Sequence, residues 1–190
     1  MYTINDHQKL VIITMVENKV IIISGKKGEG KTTKLQNIVV ALKNENIIIN
    51  GFTSTASIVN GERNTYSLVD VNTNKSIVLS SSIPETNYIP IGRFFFNPIA
   101  ITMGEELLTS KDNTKSVSII DEVGPFELQD NVWHNSLTNL IRNTNNLIII
   151  VIREKLMNEV INKYKFKYYT IFNLDNDDKA IINEIKLGLI

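Results

Sequence analysis

Cysteine is absent from the 190-residue chain, which removes disulfides, thiolate metal sites and cysteine nucleophiles together. That absence fits a reducing compartment, and a cytoplasmic location is expected. Histidine occurs only at His7 and His134, too far apart for a metal-ligand pattern with nearby acids, so both are expected at the surface or at an edge. Arginine is scarce too, at positions 63, 93, 142 and 153 only. The formal net charge is zero, so no broad electrostatic case exists for nucleic acid or membrane as a partner. Any anion site must therefore be local. The longest apolar runs, residues 10–16 and 147–152, fall short of the ~18 residues that a membrane span needs. Residues 1–10 hold an acid and no basic cluster, and no small-residue cleavage site follows, so no secretory signal is expected.

What is present suits one globular domain over residues 1–190, with 43% apolar content arguing against disorder. From residue 19 onward, short β-branched runs alternate with longer segments of helical period, the pattern of a mostly parallel sheet covered by helices. Strands are predicted at 19–24, 46–52, 116–121, 146–152 and 166–172. Helices are predicted at 31–44, 98–109, 130–144, 154–164 and 177–187, with acids such as Glu154 and Asp177 at their starts. The alternation breaks once, where 65–71 and 76–80 flank the turn-prone Asn72-Thr73-Asn74 and read as a β-hairpin. With YIPIGRFFF at 88–96, this forms an antiparallel insertion over about 65–96, either a lid element or an edge ribbon. Residues 1–18 read as an N-terminal extension, a short leading helix or strand.

The stretch GKKGEGKTT, Gly25 to Thr33, lies between an apolar strand and a helix. Gly25, Gly30, Lys31 and Thr32 satisfy G-x-x-x-x-G-K-[ST], the P-loop pattern, and the flanking elements are the ones that pattern requires. Its glycines let successive N–H groups point inward, and the helix start adds partial positive charge, so the loop can cradle phosphates. Gly25, Lys26, Lys27, Gly28, Glu29, Gly30, Lys31, Thr32 and Thr33 are thus the candidate nucleotide-binding residues. Lys31 is expected to bridge the β and γ phosphates, and Thr32 to ligate Mg²⁺. Lys26, Lys27 and Glu29 have two readings: solvated loop-tip residues, or, for either lysine, a cation over the γ-phosphate.

A P-loop needs an acid at the end of a neighbouring strand, and Val117-Ser118-Ile119-Ile120-Asp121-Glu122 supplies two. Asp121 is expected to hold Mg²⁺ through its water shell. Glu122 is suited to orient and deprotonate a water in line with the γ-phosphate.

At IIDEVGPFEL, residues 119–128, the sequence resembles the small nucleoside-triphosphatases first associated with hyperthermophiles, a family that includes the cancer-related nucleoside-triphosphatase. That family's second motif reads like IDEIGPMEL; GFTS at 51–54 and IGRF at 91–94 are similar to two further family segments. The resemblance covers about residues 19–176. It implies a P-loop three-layer sandwich and Mg²⁺-dependent hydrolysis of nucleoside triphosphates, ATP, GTP or others, to diphosphate and phosphate with broad base tolerance. By the same resemblance Glu127 joins Asp121 and Glu122 in the acidic motif, and Arg93 takes a basic position. Arg93 could then be a catalytic finger or a surface or packing arginine. The chain departs from the family at Thr55-Ala56-Ser57-Ile58, where the family has a charged pair. It also departs at Ile150-Val151-Ile152-Arg153-Glu154, where the family has threonine-valine-histidine, and at Asn173-Leu174-Asp175-Asn176-Asp177, a faint echo of an Asn-Arg-Asp segment.

Three rival readings stay open. A nucleotide or small-molecule kinase would usually use several lid arginines, which this chain has few of. An ATP-dependent switch or partner-regulating module would suit Lys26, placed directly after the first glycine. An adaptor would use Phe94, Phe95, Phe96, Phe126 and Trp133 as a docking face.

Overall fold

The structure is a computed structural model, and it describes residues 19–59, 62–109, 116–143 and 146–189. The expectation for residues 1–18 lies outside the described residues. Five strands form the parallel part of one sheet, in the order β2 (Ile49–Val59), β7 (Val117–Val123), β8 (Leu147–Arg153), β1 (Lys19–Gly25), β9 (Tyr168–Phe172). β1 and β8 are apolar without alternation because both faces are covered, as parallel sheets require. Ile21 and Ile23 pack with Leu35, Ile38 and Leu42 of α1 (Lys31–Asn44) and with Ile181 and Ile185 of α6 (Asp178–Leu189). Val20 and Ile22 face the opposite core. There they meet Ala100 and Leu108 of α2 (Pro98–Leu108), Leu137 and Leu140 of α4 (His134–Asn143), and Val160 of α5 (Met157–Tyr164).

The antiparallel part is larger than the hairpin predicted from residue 65. β2 runs past its parallel partner to Val59 and pairs from Phe52 onward with β3 (Glu62–Asp70). β4 (Ser76–Ser81), β6 (Phe94–Phe96) and β5 (Ile89–Ile91) extend the sheet outward in that order. Residues 53–57 are Thr, Ser and Ala, so they lack the apolar alternation that marks a strand. Tyr66 to Ser80 does form the β3–β4 hairpin, its turn held by Asp70, which accepts from the Asn72 N–H at 2.8 Å and the Thr73 hydroxyl at 2.5 Å.

Two predicted helices differ at their starts. The helix predicted at 130–144 begins at His134, as α4; a short α3 (Pro125–Leu128) precedes it, and Asp130 and Val132, with φ of 62° and 50°, lie between the two. The segment predicted at 154–164 opens as a 3₁₀ turn, Glu154–Leu156, before α5.

Gly51 brings the two strands of the site together. Its φ is 108°, and a Cβ there would lie 2.0 Å from the Ile119 carbonyl oxygen on β7. Only glycine lets β2 approach β7 this closely, just before β7 presents its acids.

Candidate active site

β1 delivers Gly25 to the sheet's edge, and residues 26–30 turn the chain into α1 at Lys31. Gly28 and Gly30 turn with φ of 84° and 100°, conformations that a Cβ would strain. Gly30 caps α1 without a side-chain bond, which leaves the first helical amides to an outside acceptor. The Glu29 carboxylate accepts the Lys26 N–H at 2.6 Å, and the Lys31 ammonium donates to the Lys26 carbonyl at 2.6 Å. Glu29 is exposed, as the solvated reading has it, and its carboxylate also ties the loop closed. Lys31 is only 7% exposed. Burial lowers its pKa, and the nearby Glu122, Asp121 and Glu29 carboxylates oppose that shift.

The two acids emerge from β7 at an irregularity. Ile120 is opposite Ile150 and Val123 opposite Ile152, so Asp121 and Glu122 together face the single residue Val151, a bulge. Glu122 takes φ of 65°, a left-handed conformation uncommon for a non-glycine residue and typical of strained functional positions. The bulge turns the two side chains to different tasks. Asp121 is 1% exposed; its Oδ2 accepts the Ser54 N–H at 2.9 Å and the Thr32 hydroxyl lies near the carboxylate, while among the described residues Oδ1 is buried without a hydrogen-bond partner. Burial pushes its carboxyl up to about 7 against the pull of those two donors. Glu122 is half-buried, and its Oε1 accepts from Arg153 Nε at 3.1 Å and Nη2 at 2.5 Å.

Glu127, the third acid of the motif, is a structural residue by its contacts. Oε2 accepts the Gly124 N–H at 2.8 Å and Oε1 the Trp133 N–H at 3.5 Å, so it closes the turn around α3. Complete burial pushes its pKa to about 7, with the backbone donors pulling the other way. A folded-state pKa above the unfolded value means that stability from this group is complete below about pH 4.5. It is then lost as pH rises through about 7. Glu127→Gln cannot ionise, so between pH 5 and 8 its melting temperature should fall less than the wild type's. The difference is on the order of 2–3 kcal/mol. Parallel pH dependences in thermal melts would refute it.

Two cavities meet at this place. One, of about 510 Å³, is lined by Lys26, Lys27, Arg153, Glu154 and Lys155, four cations and one acid in a chain of zero net charge. The other, of about 70 Å³, lies against Asp121, Glu122, Glu127 and Arg153 and is closed by aromatic rings including Phe94 and Phe126. Phe94, Phe96 and Trp133 are 8%, 2% and 3% exposed, so they form core and not the docking face of the adaptor reading. Arg93 is exposed in the turn between β5 and β6, its guanidinium 4.9 Å from the Phe94 ring centroid, and lines neither cavity.

The structure thus brings Lys31, Thr32, Asp121 and Glu122 together and leaves Arg93 apart. Arg153, whose role the sequence leaves open, and Ser54, which no motif singles out as a site residue, join them; a basic residue closing an apolar strand is the sequence signal for Arg153. On the far side of the loop, Lys34 donates to the Leu174 carbonyl at 3.1 Å, the Asn176 carbonyl at 2.6 Å and Asp178 at 2.7 Å, which pins residues 174–178 to α1.

Relatives share the sequence family and the fold. A family profile described as NTPase matches residues 20–186. The nucleoside-triphosphatase THEP1 of Sulfolobus acidocaldarius is 30% identical over 173 residues, 90% of this chain and 92% of that protein. The THEP1 of Saccharolobus solfataricus is 27% identical over 170 residues, 89% and 94% of the two chains. Among solved structures, a human cancer-related nucleoside triphosphatase superposes with a TM-score of 0.64 at 19% identity, covering 89% of this chain and 96% of that one. THEP1 from Aquifex aeolicus does so with 0.63 at 21% identity, covering 90% and 98%. The α/β fold with a mixed central sheet is therefore shared with both, and the chain belongs to the NTPase family of nucleoside-triphosphatases.

Proposed function

We propose that this protein is a single-domain P-loop sandwich that hydrolyses nucleoside 5′-triphosphates to diphosphate and phosphate with Mg²⁺, by in-line attack of a water oriented by Glu122. The observation that carries the reading is the small cavity against Asp121, Glu122 and Arg153. At about 70 Å³ it has room for a few waters and lies well below the ~300 Å³ and more of small-molecule sites. Water is the acceptor that fits, which disfavours the kinase reading. The 510 Å³ cationic cavity offers space for a phosphate tail.

Asp121 and Thr32 suit a divalent cation. Among the described residues Oδ1 of Asp121 is a buried oxygen with no hydrogen-bond partner, on a carboxylate whose pKa the nearby Thr32 hydroxyl lowers. Hydroxyl and carboxylate oxygens are the hard donors that Mg²⁺ prefers. Among the described residues no group of three or more acidic or histidine side chains could hold a metal alone, so nucleotide phosphates would complete the shell. When bound, the ion would neutralise charge on the phosphate oxygens. The chain's own residues do the rest. The amides of 27–32 and Lys31 bind and orient the phosphates, and Glu122 accepts the water's proton.

Broad base tolerance rests on the resemblance to the family. A cytoplasmic location rests on the missing cysteines; no helix among the described residues is long and apolar enough to cross a membrane. The test is phosphate release with ATP, GTP, CTP and UTP, with Mg²⁺ and with EDTA, and no added acceptor. Release from all four that stops in EDTA is expected. Turnover only after an acceptor is added would overturn the proposal.

A further inference from the structure

The Arg153–Glu122 pair does more than fill space. Gly25, the first glycine of the loop, is the parallel-strand partner of Arg153, so the backbone fixes this arginine beside the phosphate cradle. Arg153 lines both cavities, whereas Glu122 lines only the small one. The ion pair therefore stands where the linings of the cationic cavity and of the space for water share a residue. Both guanidinium contacts fall on one carboxylate oxygen, Oε1. The side chains remain 23% and 27% exposed, which makes the pair one that a stronger anion can displace. A γ-phosphate carries more charge than a carboxylate and matches the planar guanidinium fork.

We infer that Arg153 is a positioning residue that senses the γ-phosphate: without triphosphate it holds Glu122 by an ion pair, and with triphosphate it transfers to the γ-phosphate and releases Glu122 to the attacking water. A nucleoside diphosphate has no group to accept the guanidinium, so the pair persists with product bound. The base is thereby idle unless the right substrate is seated. This rests on the hydrolase reading.

Two measurements test it. The first is nucleotide affinity in Arg153→Ala, using ADP and a non-hydrolysable ATP analogue with Mg²⁺, together with kcat and KM for ATP. The preference for triphosphate over diphosphate should fall on the order of 10- to 100-fold, the worth of hydrogen bonds to a charged group, while ADP affinity holds. Arg153→Lys should recover part of the preference, as a point charge without the fork. An unchanged preference overturns the inference. The second is the structure of the wild type with the same analogue. Arg153 on the γ-phosphate with Glu122 separated from it is expected, and an intact Arg153–Glu122 pair overturns the inference even if the variants fail to fold. Failure of the wild type to release phosphate would instead sink the hydrolase reading, so the two failures are told apart.

Discussion

Glu122→Gln should bind ATP as the wild type does and lose turnover, with kcat lower on the order of 10²- to 10⁴-fold, the usual worth of a general base. The amide keeps the shape of the side chain and a carbonyl oxygen for Arg153, but it cannot take a proton. The bulge that gives residue 122 its left-handed backbone is built by the β7–β8 register and not by the carboxylate, so the variant should fold normally. Equilibrium binding and single-turnover phosphate release separate the two effects. Hydrolysis at the wild-type rate would remove Glu122 from the mechanism.

Lys31→Ala should lower kcat/KM for ATP by on the order of 10² or more, since the lysine is the buried cation of the cradle and bonds to charged groups are worth ~1.5–3 kcal/mol each. Stability should move the other way or not at all. Burial disfavours the charged ammonium, and its hydrogen bond to the Lys26 carbonyl, the one it makes among the described residues, can be replaced by water at this exposed loop. A residue that lowers stability and raises activity is what a site built for binding requires. Thermal melts with kcat/KM on the same preparations check this pair of outcomes. A large drop in melting temperature with unaltered kcat/KM would make Lys31 a structural residue.

What could be read in the sequence follows from how local each signal is. The strands β1, β7 and β8 are legible as β-branched runs, because burial on both faces writes itself into consecutive residues. The loop glycines, Lys31, Thr32 and the acidic pair can be singled out because the P-loop pattern asks for fixed residue types at fixed places, and the structure brings Lys31, Thr32, Asp121 and Glu122 together. The β2 extension is not, since its Thr, Ser and Ala residues owe their strand form to pairing with β3. Nor is the bulge at Glu122, which arises from the β7–β8 register across two strands. The Arg153–Glu122 pair joins residues 31 apart, and the Glu29 tie across the loop depends on backbone geometry that spacing alone does not carry. Arg93, by contrast, sits in a matching segment and yet is exposed against Phe94 and lines neither of the two cavities.

The most direct test of water as the acceptor is hydrolysis of ATP in H₂¹⁸O with a single turnover per site. One ¹⁸O atom in each released phosphate and none in the diphosphate is the predicted result; unlabelled phosphate, or label in the diphosphate, would contradict attack of a Glu122-directed water on the γ-phosphorus.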